Sequence, residues 1–368
     1  MRILHIYKDY HPVLGGIENH LRWLAEAQAA RGHEVSVLVT NPAGMETIVR
    51  EENGVRVIRA ARLATVASTP LSLSMPLILR HEEPDIVHLQ FPYPVGETSQ
   101  WLMRRGRATI ISYQSDVVRQ AAILRFYNPI LKRVLRQADR ILASSPNYIR
   151  SSSWLRPLAD KCTVVPLGVD VARFDKPRPQ QVQIIRQRYP GPLLLFVGRL
   201  RYYKGLDYLL HAMQQVEATL LLVGTGPEAA RLRVLSEELG VAERVHFLGD
   251  VSDEMLPAYY QAADLFVLPS SHRSEAFGIV LLEAMAAGTP LISTELGTGT
   301  SWVNQDGVTG LVTRPRDAQA LAIAINRLLK DDAMRAEMGK QAQARARAAF
   351  DLPVLVERIM AVYDDVLD

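Results

Sequence analysis

The sequence predicts an α/β fold made of two successive doubly wound parallel sheets, on three observations. Short apolar runs rich in β-branched residues alternate with amphipathic stretches of helical length, the pattern of βα units. The alternation occurs twice, on either side of a polar stretch rich in Pro, Lys and Arg. The chain of 368 residues, 48% hydrophobic and 22% charged, has enough apolar material for two domains, which excludes a disordered chain or a small disulfide-stapled scaffold.

In the first half, RILHIY (2–7), EVSVLVT (34–40), DIVHLQ (85–90), ATIISY (108–113), RILAS (140–144) and CTVVP (162–166) read as strands. Ile17, Leu21, Leu24 and Gln28 recur at the 3.6 spacing of a crossover helix after the first of them. The join is expected between Val165 and Pro192, where PLGVDVARF leads into KPRPQQ, read as linker. This divides the chain into domains 1–170 and 171–351. In the second half PLLLFVG, TLLLVG, RVHFLG, LFVLP, PLIST and GLVT repeat the theme. Beyond Ala320 the pattern is nearly all helical, and Leu355, Ile359 and Val362 of 352–368 share one face. Open α/β sheets bind ligands at the carboxyl ends of their strands, so the site is expected in a cleft lined by loops from both halves.

Charge and cysteine usage narrow the function classes. A net charge of +3 with no recognition motif argues against nucleic acid. The single cysteine, Cys162, closes no intramolecular disulfide, which fits a reducing compartment, and MRILHIYKDY is too short in its apolar run for a signal peptide or a span, so the cytoplasm is expected. Basic residues outnumber acidic ones in the first half and the reverse holds in the second. Most of the excess lies between Trp101 and Arg140, where Arg104, Arg105, Arg107, Arg119, Arg125, Lys132, Arg133, Arg136 and Arg140 face only Asp116 and Asp139.

Four segments could carry chemistry. In VGRLRYYKGLDYLL, Arg199 and Lys204 follow a buried strand; a forked guanidinium beside a point-charge ammonium suits a diphosphate, in the ground state and as a leaving group. Two solvated loop cations are the plain alternative. In SEAFGIVLLEAMAAGTP, Glu275 and Glu283 flank an apolar stretch, and a helix beginning near Gly278 would aim the amides of Phe277, Gly278 and Ile279 at an anion. Carboxylates there can accept from sugar and ribose hydroxyls. Glu283, in an apolar run, needs a partner. The turns LGGIENH, with Gly15 and Gly16, and VGTGPE, with Gly224 and Gly226, allow close backbone approach to a ligand, although glycine there also simply makes a turn.

Together, VGRL…KG, VGTGP and EAFGIVLLE after an N-terminal GG turn closely resemble the retaining glycosyltransferases of family four, which have the GT-B fold. The resemblance spans the whole chain. It implies that the second domain binds a nucleotide-sugar donor and the first an acceptor, with the C-terminal helix 352–368 crossing back to the first. It further implies that Arg199 and Lys204 hold the diphosphate, Glu283 the ribose and Glu275 the transferred sugar, with Gly16 approaching the donor from the first domain. In ISYQSDVVRQ (111–120) one position departs from the family, which has a histidine facing the donor sugar where this chain has Gln114. An amide still hydrogen-bonds a hydroxyl but carries no proton near neutral pH. Asp116 is the remaining titratable group of that loop, either binding substrate or capping a helix that starts at Val117.

Metal is not expected: there is no D-x-D triplet, and His5, His20, His88, His211, His246 and His272 are scattered without ligand spacing and read as structural. The wording of LGGIENH, SDVVRQ and SPNYIRSS resembles bacterial mannosyl- and rhamnosyltransferases of surface polysaccharides, which implies a GDP-sugar in preference to a UDP-sugar, a glycan or lipid-linked acceptor and no further cofactor. The basic stretch, interleaved with Trp101, Phe126, Tyr127, Leu131 and Leu135, suits the anionic inner face of a membrane or is a solvated helix face. A nucleotide-sugar epimerase of the same architecture and a non-catalytic sugar-nucleotide binding protein are the other readings, and a dinucleotide oxidoreductase comes last because neither glycine turn reaches G-x-G-x-x-G.

Overall fold

The structure is a computed structural model that describes residues 1–13, 15–66, 69–114, 116 and 121–368, the side chains of 121–126 excepted. It divides into two units, Met1–Leu167 with Leu352–Asp368, and Gly168–Asp351.

The first unit is built on strands β1 (Arg2–Ile6), β2 (Glu34–Thr40), β3 (Ile48–Glu52), β4 (Val55–Ala60), β7 (Ile86–Phe91), β8 (Ala108–Tyr113), β9 (Arg140–Ala143) and β10 (Cys162–Val164); the short pair β5 (Ala64–Val66) and β6 (Thr69–Leu71) stands apart. The sheet order is β10-β9-β8-β7-β1-β2-β4-β3, parallel throughout except for β3. The central strands β1 and β7 are buried on both faces, which is why they read as continuous apolar runs. The sequence reading missed β3 and β4. Their signal was the Asn53-Gly54 dipeptide, whose two residues have φ of 51° and 76°, the left-handed pair that a tight hairpin requires. The C-terminal helix Leu352–Leu367 packs on the helix Gly16–Ala30, with Leu355, Val356, Ile359 and Tyr363 buried. Full burial of side chains of this size stabilises by roughly 1.5–3 kcal/mol each.

The second unit carries β11 (Leu193–Val197), β12 (Thr219–Val223), β13 (Val245–Gly249), β14 (Leu265–Leu268), β15 (Leu291–Thr294) and β16 (Gly310–Thr313) in the order β13-β12-β11-β14-β15-β16, all parallel. The expected linker is not one. Residues 171–189 form two helices of this unit, Val171–Asp175 and Pro179–Arg188. Pro179 occupies the first turn, where its missing N–H costs nothing, and Ile185 and Tyr189 are buried as the helix packs on Leu256–Ala262. Polar composition on the outer face disguised an amphipathic helix as linker.

In each sheet the strand order reverses once, at β1/β7 and at β11/β14. Loops leaving two such strands diverge to opposite sides and open a crevice at their carboxyl ends. In the second unit these are the loops after Val197 and after Leu268, which hold Arg199, Lys204 and Glu275.

Candidate active site

The β11 and β14 loops are brought together by backbone. Gly205 has φ 68°, and a Cβ there would lie 2.1 Å from the Pro269 carbonyl oxygen, so only glycine lets the turn rest on the β14 loop. Lys204, one residue earlier, is thereby carried to Glu275. Its Nζ donates to Glu275 Oε2 at 2.6 Å, and Ser270 Oγ donates to the same oxygen at 2.9 Å. Lys204 and Glu275 are each 7% exposed. The ammonium, in the loop that follows β11, is therefore neutralised by a buried carboxylate. Arg199 is exposed, and among the described residues no carboxylate pairs with it.

Gly224 and Gly226 have a packing role. A Cβ on Gly224 would lie 2.3 Å from the Gly198 carbonyl oxygen, and one on Gly226 2.3 Å from that of Leu200. The β12 turn is thus pressed against the segment that presents Arg199, and the backbone bond from Leu200 to Thr225, 2.8 Å, fastens the two.

Gly278, with φ 80°, is the N-cap of the helix Ile279–Ala286. Phe277 is 3% exposed and packs against Trp302 and Phe350, so its side chain belongs to the core. Glu283 has the partner its apolar surroundings require: Tyr260 Oη donates to its Oε2 at 2.6 Å. Burial raises the Glu283 carboxyl above the ordinary range, and the Tyr260 bond works against that shift. Ser270 and Tyr260 were not found from sequence, because their relevance depends on which loop or helix packs beside them.

In the first unit the glycine turn follows β1. Gly15 is the extended N-cap of the helix Gly16–Ala30, and a Cβ on it would lie 2.1 Å from Glu18 Oε2. The Glu18 carboxylate, 7% exposed, lies against this turn and 3.7 Å from Lys8 Nζ. Asp116 accepts from Tyr113 Oη at 2.9 Å and Ser152 Oγ at 2.8 Å, and its own N–H donates to Tyr148 Oη at 2.5 Å. Capping of a helix at Val117 lies outside the described residues. Gln114, 9% exposed, donates from Nε2 to Gln90 Oε1 at 3.2 Å.

The histidines are less scattered than expected. The His5 and His88 rings lie tilted at 43° to each other with centroids 5.1 Å apart, both fully buried, and His20 is buried as well. His5 Nε2 pairs with Gln28 at 2.7 Å, and His88 pairs with Tyr363 at 2.5 Å and Ser112 at 2.7 Å. Burial pushes His5 and His20 down to about 4 and His88 well below its ordinary value, so all three are neutral near pH 7. No group of three His, Cys, Asp or Glu among the described residues is placed to hold a metal ion.

The apolar residues expected to interleave the basic stretch point inward. Leu131 and Leu135 are each 1% exposed, and Tyr127 donates to the buried carboxylate of Glu97. Phe126, Arg119 and Arg125 lie outside what is described. Exposed apolar side chains of this unit include Leu73 and Leu77, one turn apart around the helix Ser74–Leu79, and Leu102 on the helix Pro94–Met103 beside it, at 74%, 63% and 58% exposure. Arg80 and Arg104 are exposed at the same helices' carboxyl ends and Arg107 just before β8; a cavity of about 210 Å³ is lined by Trp101, Arg104, Arg105 and Arg107. No described helix is long and apolar enough to cross a membrane.

Two Rossmann-like units, one with cations and carboxylates gathered at its topological switch point, define a transferase of the GT-B fold. The chain belongs to the family 4 glycosyltransferases: residues 14–173 match the model described as Glycosyltransferase Family 4, and residues 178–345 that described as Glycosyl transferases group 1. It is 39% identical over 354 residues to the D-rhamnosyltransferase WbpZ of Pseudomonas aeruginosa, covering 95% of this chain and 92% of that one. It is 36% identical over 371 residues to the O-antigen chain mannosyltransferase C of Escherichia coli, covering 100% and 99%. Among solved structures, a sucrose-phosphate synthase from Thermosynechococcus elongatus superposes with a TM-score of 0.80 at 26% identity, covering 99% and 98%. The protein is a glycosyltransferase, and nothing in these relatives supports an epimerase.

Proposed function

We propose that the chain transfers a hexose of the mannose or rhamnose type, with retention and without metal, from a GDP-sugar to a glycan or lipid-linked acceptor of surface-polysaccharide synthesis. The Lys204–Glu275 pair beside exposed Arg199, at the β11/β14 switch point, is the observation that carries this reading. The diphosphate draws Lys204 from Glu275 and engages Arg199, which compensates charge as the sugar bond breaks. Glu275, released from the ammonium, accepts from the sugar hydroxyls. Glu283, oriented by Tyr260, accepts from the ribose. Front-face displacement assisted by the leaving phosphate needs no protein base, so Gln114 at the family's histidine position is compatible with turnover. The relatives' sugars support the hexose, and the domain carrying Gly15, Gly16 and Asp116 is assigned the acceptor.

The same reading places the enzyme at the inner face of a membrane, with the helices Ser74–Leu79 and Pro94–Met103 against anionic lipid. Apolar side chains next to arginines suit that surface, each cation near it contributing about 1 kcal/mol. Sedimentation with phosphatidylglycerol vesicles at low salt, lost in Leu73→Ser/Leu77→Ser, tests it; equal sedimentation of both proteins counts against it.

Calorimetric titration with GDP, UDP and ADP tests the donor site. Tight binding of GDP alone, abolished in Arg199→Ala, is expected. Tighter UDP binding would move the donor class, and binding that Arg199→Ala leaves intact would displace the diphosphate site.

A further inference from the structure

Gln114 is the end of a buried chain of polar groups that begins on the C-terminal helix. Its Nε2 donates to Gln90 Oε1 at 3.2 Å; Gln90 Nε2 lies 3.4 Å from His88 Nε2; His88 Nδ1 lies 2.5 Å from Tyr363 Oη. Gln90 and His88 and Tyr363 are all at 0% exposure, so none of these bonds is exchanged for bulk water. Directions follow from what each atom can do. An amide nitrogen only donates, so His88 Nε2 is the acceptor, its single lone pair shared between the Ser112 hydroxyl at 2.7 Å and the longer Gln90 contact at 3.4 Å. The ring proton then sits on Nδ1 and is donated to Tyr363. With its nitrogen turned to His88, Gln90 presents its oxygen to Gln114, and one N–H of the Gln114 amide is used in turn. Among the described residues nothing donates to Gln114 Oε1.

We propose that Gln90 is a positioning residue for the transfer reaction, which through the His88 tautomer holds the Gln114 amide with its carbonyl oxygen outward as the acceptor for a sugar hydroxyl. The proposal rests on the reading of loop 111–120 as substrate-facing and deepens it. A glutamine free to rotate would offer its NH2 group half the time, and a hydroxyl meeting it would have to act as acceptor. Neutrality of His88 keeps the order intact, because a second ring proton on Nε2 would face the Gln90 NH2 group and reverse both amides.

The test is a double-mutant cycle on kcat/KM with Gln90→Met, Gln114→Ala and the double variant, accompanied by thermal unfolding and GDP titration. Loss of one oriented hydrogen bond predicts about a 5- to 10-fold fall for Gln90→Met, with GDP affinity unchanged because Arg199, Lys204 and Glu283, assigned to the diphosphate and ribose, belong to the second unit. In the Gln114→Ala background the same substitution is expected to cost nothing further. A purely structural role gives the same fold loss in both backgrounds and overturns the proposal, as does full activity of Gln90→Met. Gln90→Glu is the second arm and serves if Gln90→Met fails to fold. It keeps an oxygen for Gln114 Nε2 while His88 takes the other tautomer, so kcat/KM within about threefold of wild type is expected, and a loss as large as that of Gln114→Ala overturns the positioning role. A wild-type enzyme that binds no nucleotide would instead remove the transferase reading on which the proposal stands.

Discussion

Removing the Lys204 ammonium separates what the buried pair does for stability from what it does for donor binding. In Lys204→Ala the Glu275 carboxylate, 7% exposed, keeps only Ser270 as a side-chain donor to Oε2. Deleting one partner of a buried ion pair costs about 3–5 kcal/mol, since the remaining charge is neither hydrated nor compensated. For a unit of this size, with each kcal/mol shifting Tm by about 2–4 °C, the second unit should unfold about 6–20 °C lower. Differential scanning calorimetry reads this directly. Replacing both members, Lys204→Met with Glu275→Leu, is expected to recover most of the loss because apolar residues of similar volume fill the site without a desolvation penalty. Neither variant should recover turnover or the GDP-induced rise in Tm that ligand binding gives the wild type. A Lys204→Ala enzyme that melts within a degree of the wild type would refute the buried-pair argument; normal kcat/KM would refute the role in transfer.

Three further predictions concern other parts of the two units. Glu97, pushed up to about 7 by burial, holds a proton that the unfolded chain has already released, so its stabilising contribution is present below about pH 4.5 and is lost as pH rises through 7. Glu97→Gln should therefore be more stable than wild type by about 3 kcal/mol at pH 8 and by little at pH 5 in urea titrations, and a pH-independent difference would show that the carboxyl is not perturbed. The histidine cluster acts with the opposite sign: unfolded histidines take up protons below 6.5 that buried His5, His20 and His88 refuse, so stability falls as pH drops from 6.5 towards 4. Three groups outweigh one carboxyl, and acid should unfold the first unit before the second, as followed by the fluorescence of Trp23, Trp101 and Trp154 separately from that of Trp302. Tyr260→Phe removes the hydroxyl that orients Glu283 and should weaken GDP binding about tenfold while leaving pyrophosphate binding unchanged, an equal loss of both being the contrary result.

That Arg199 and Lys204 share a loop following a buried strand was legible in the sequence, because the apolar run PLLLFVG marks β11 and the residues beyond its end must turn outward, and Glu283 stood out as a carboxylate inside an apolar helical run. The stretch KPRPQQ (176–181) reads as linker for the corresponding reason: composition reports the solvated face of the helix Pro179–Arg188, while Ile185 and Tyr189 acquire meaning only against the helix Leu256–Ala262. For Leu131 and Leu135 the sequence leaves a lipid surface and a solvated helix face both open, because helical periodicity identifies an apolar face without saying what covers it, and in the structure the unit's own interior does.

Local order along the chain thus determined the two α/β units, the loops that could carry anionic and sugar chemistry, and the family. Which groups touch was decided by the tertiary structure alone. Glu275 meets Lys204 across 71 positions, Tyr260 meets Glu283 across 23, and Gln114 is joined through Gln90 and His88 to Tyr363, 275 residues beyond the histidine. Hydrogen bonds and ion pairs act over about 3 Å, and no pattern of spacing specifies which distant side chains a folded sheet and its covering helices will bring within that reach.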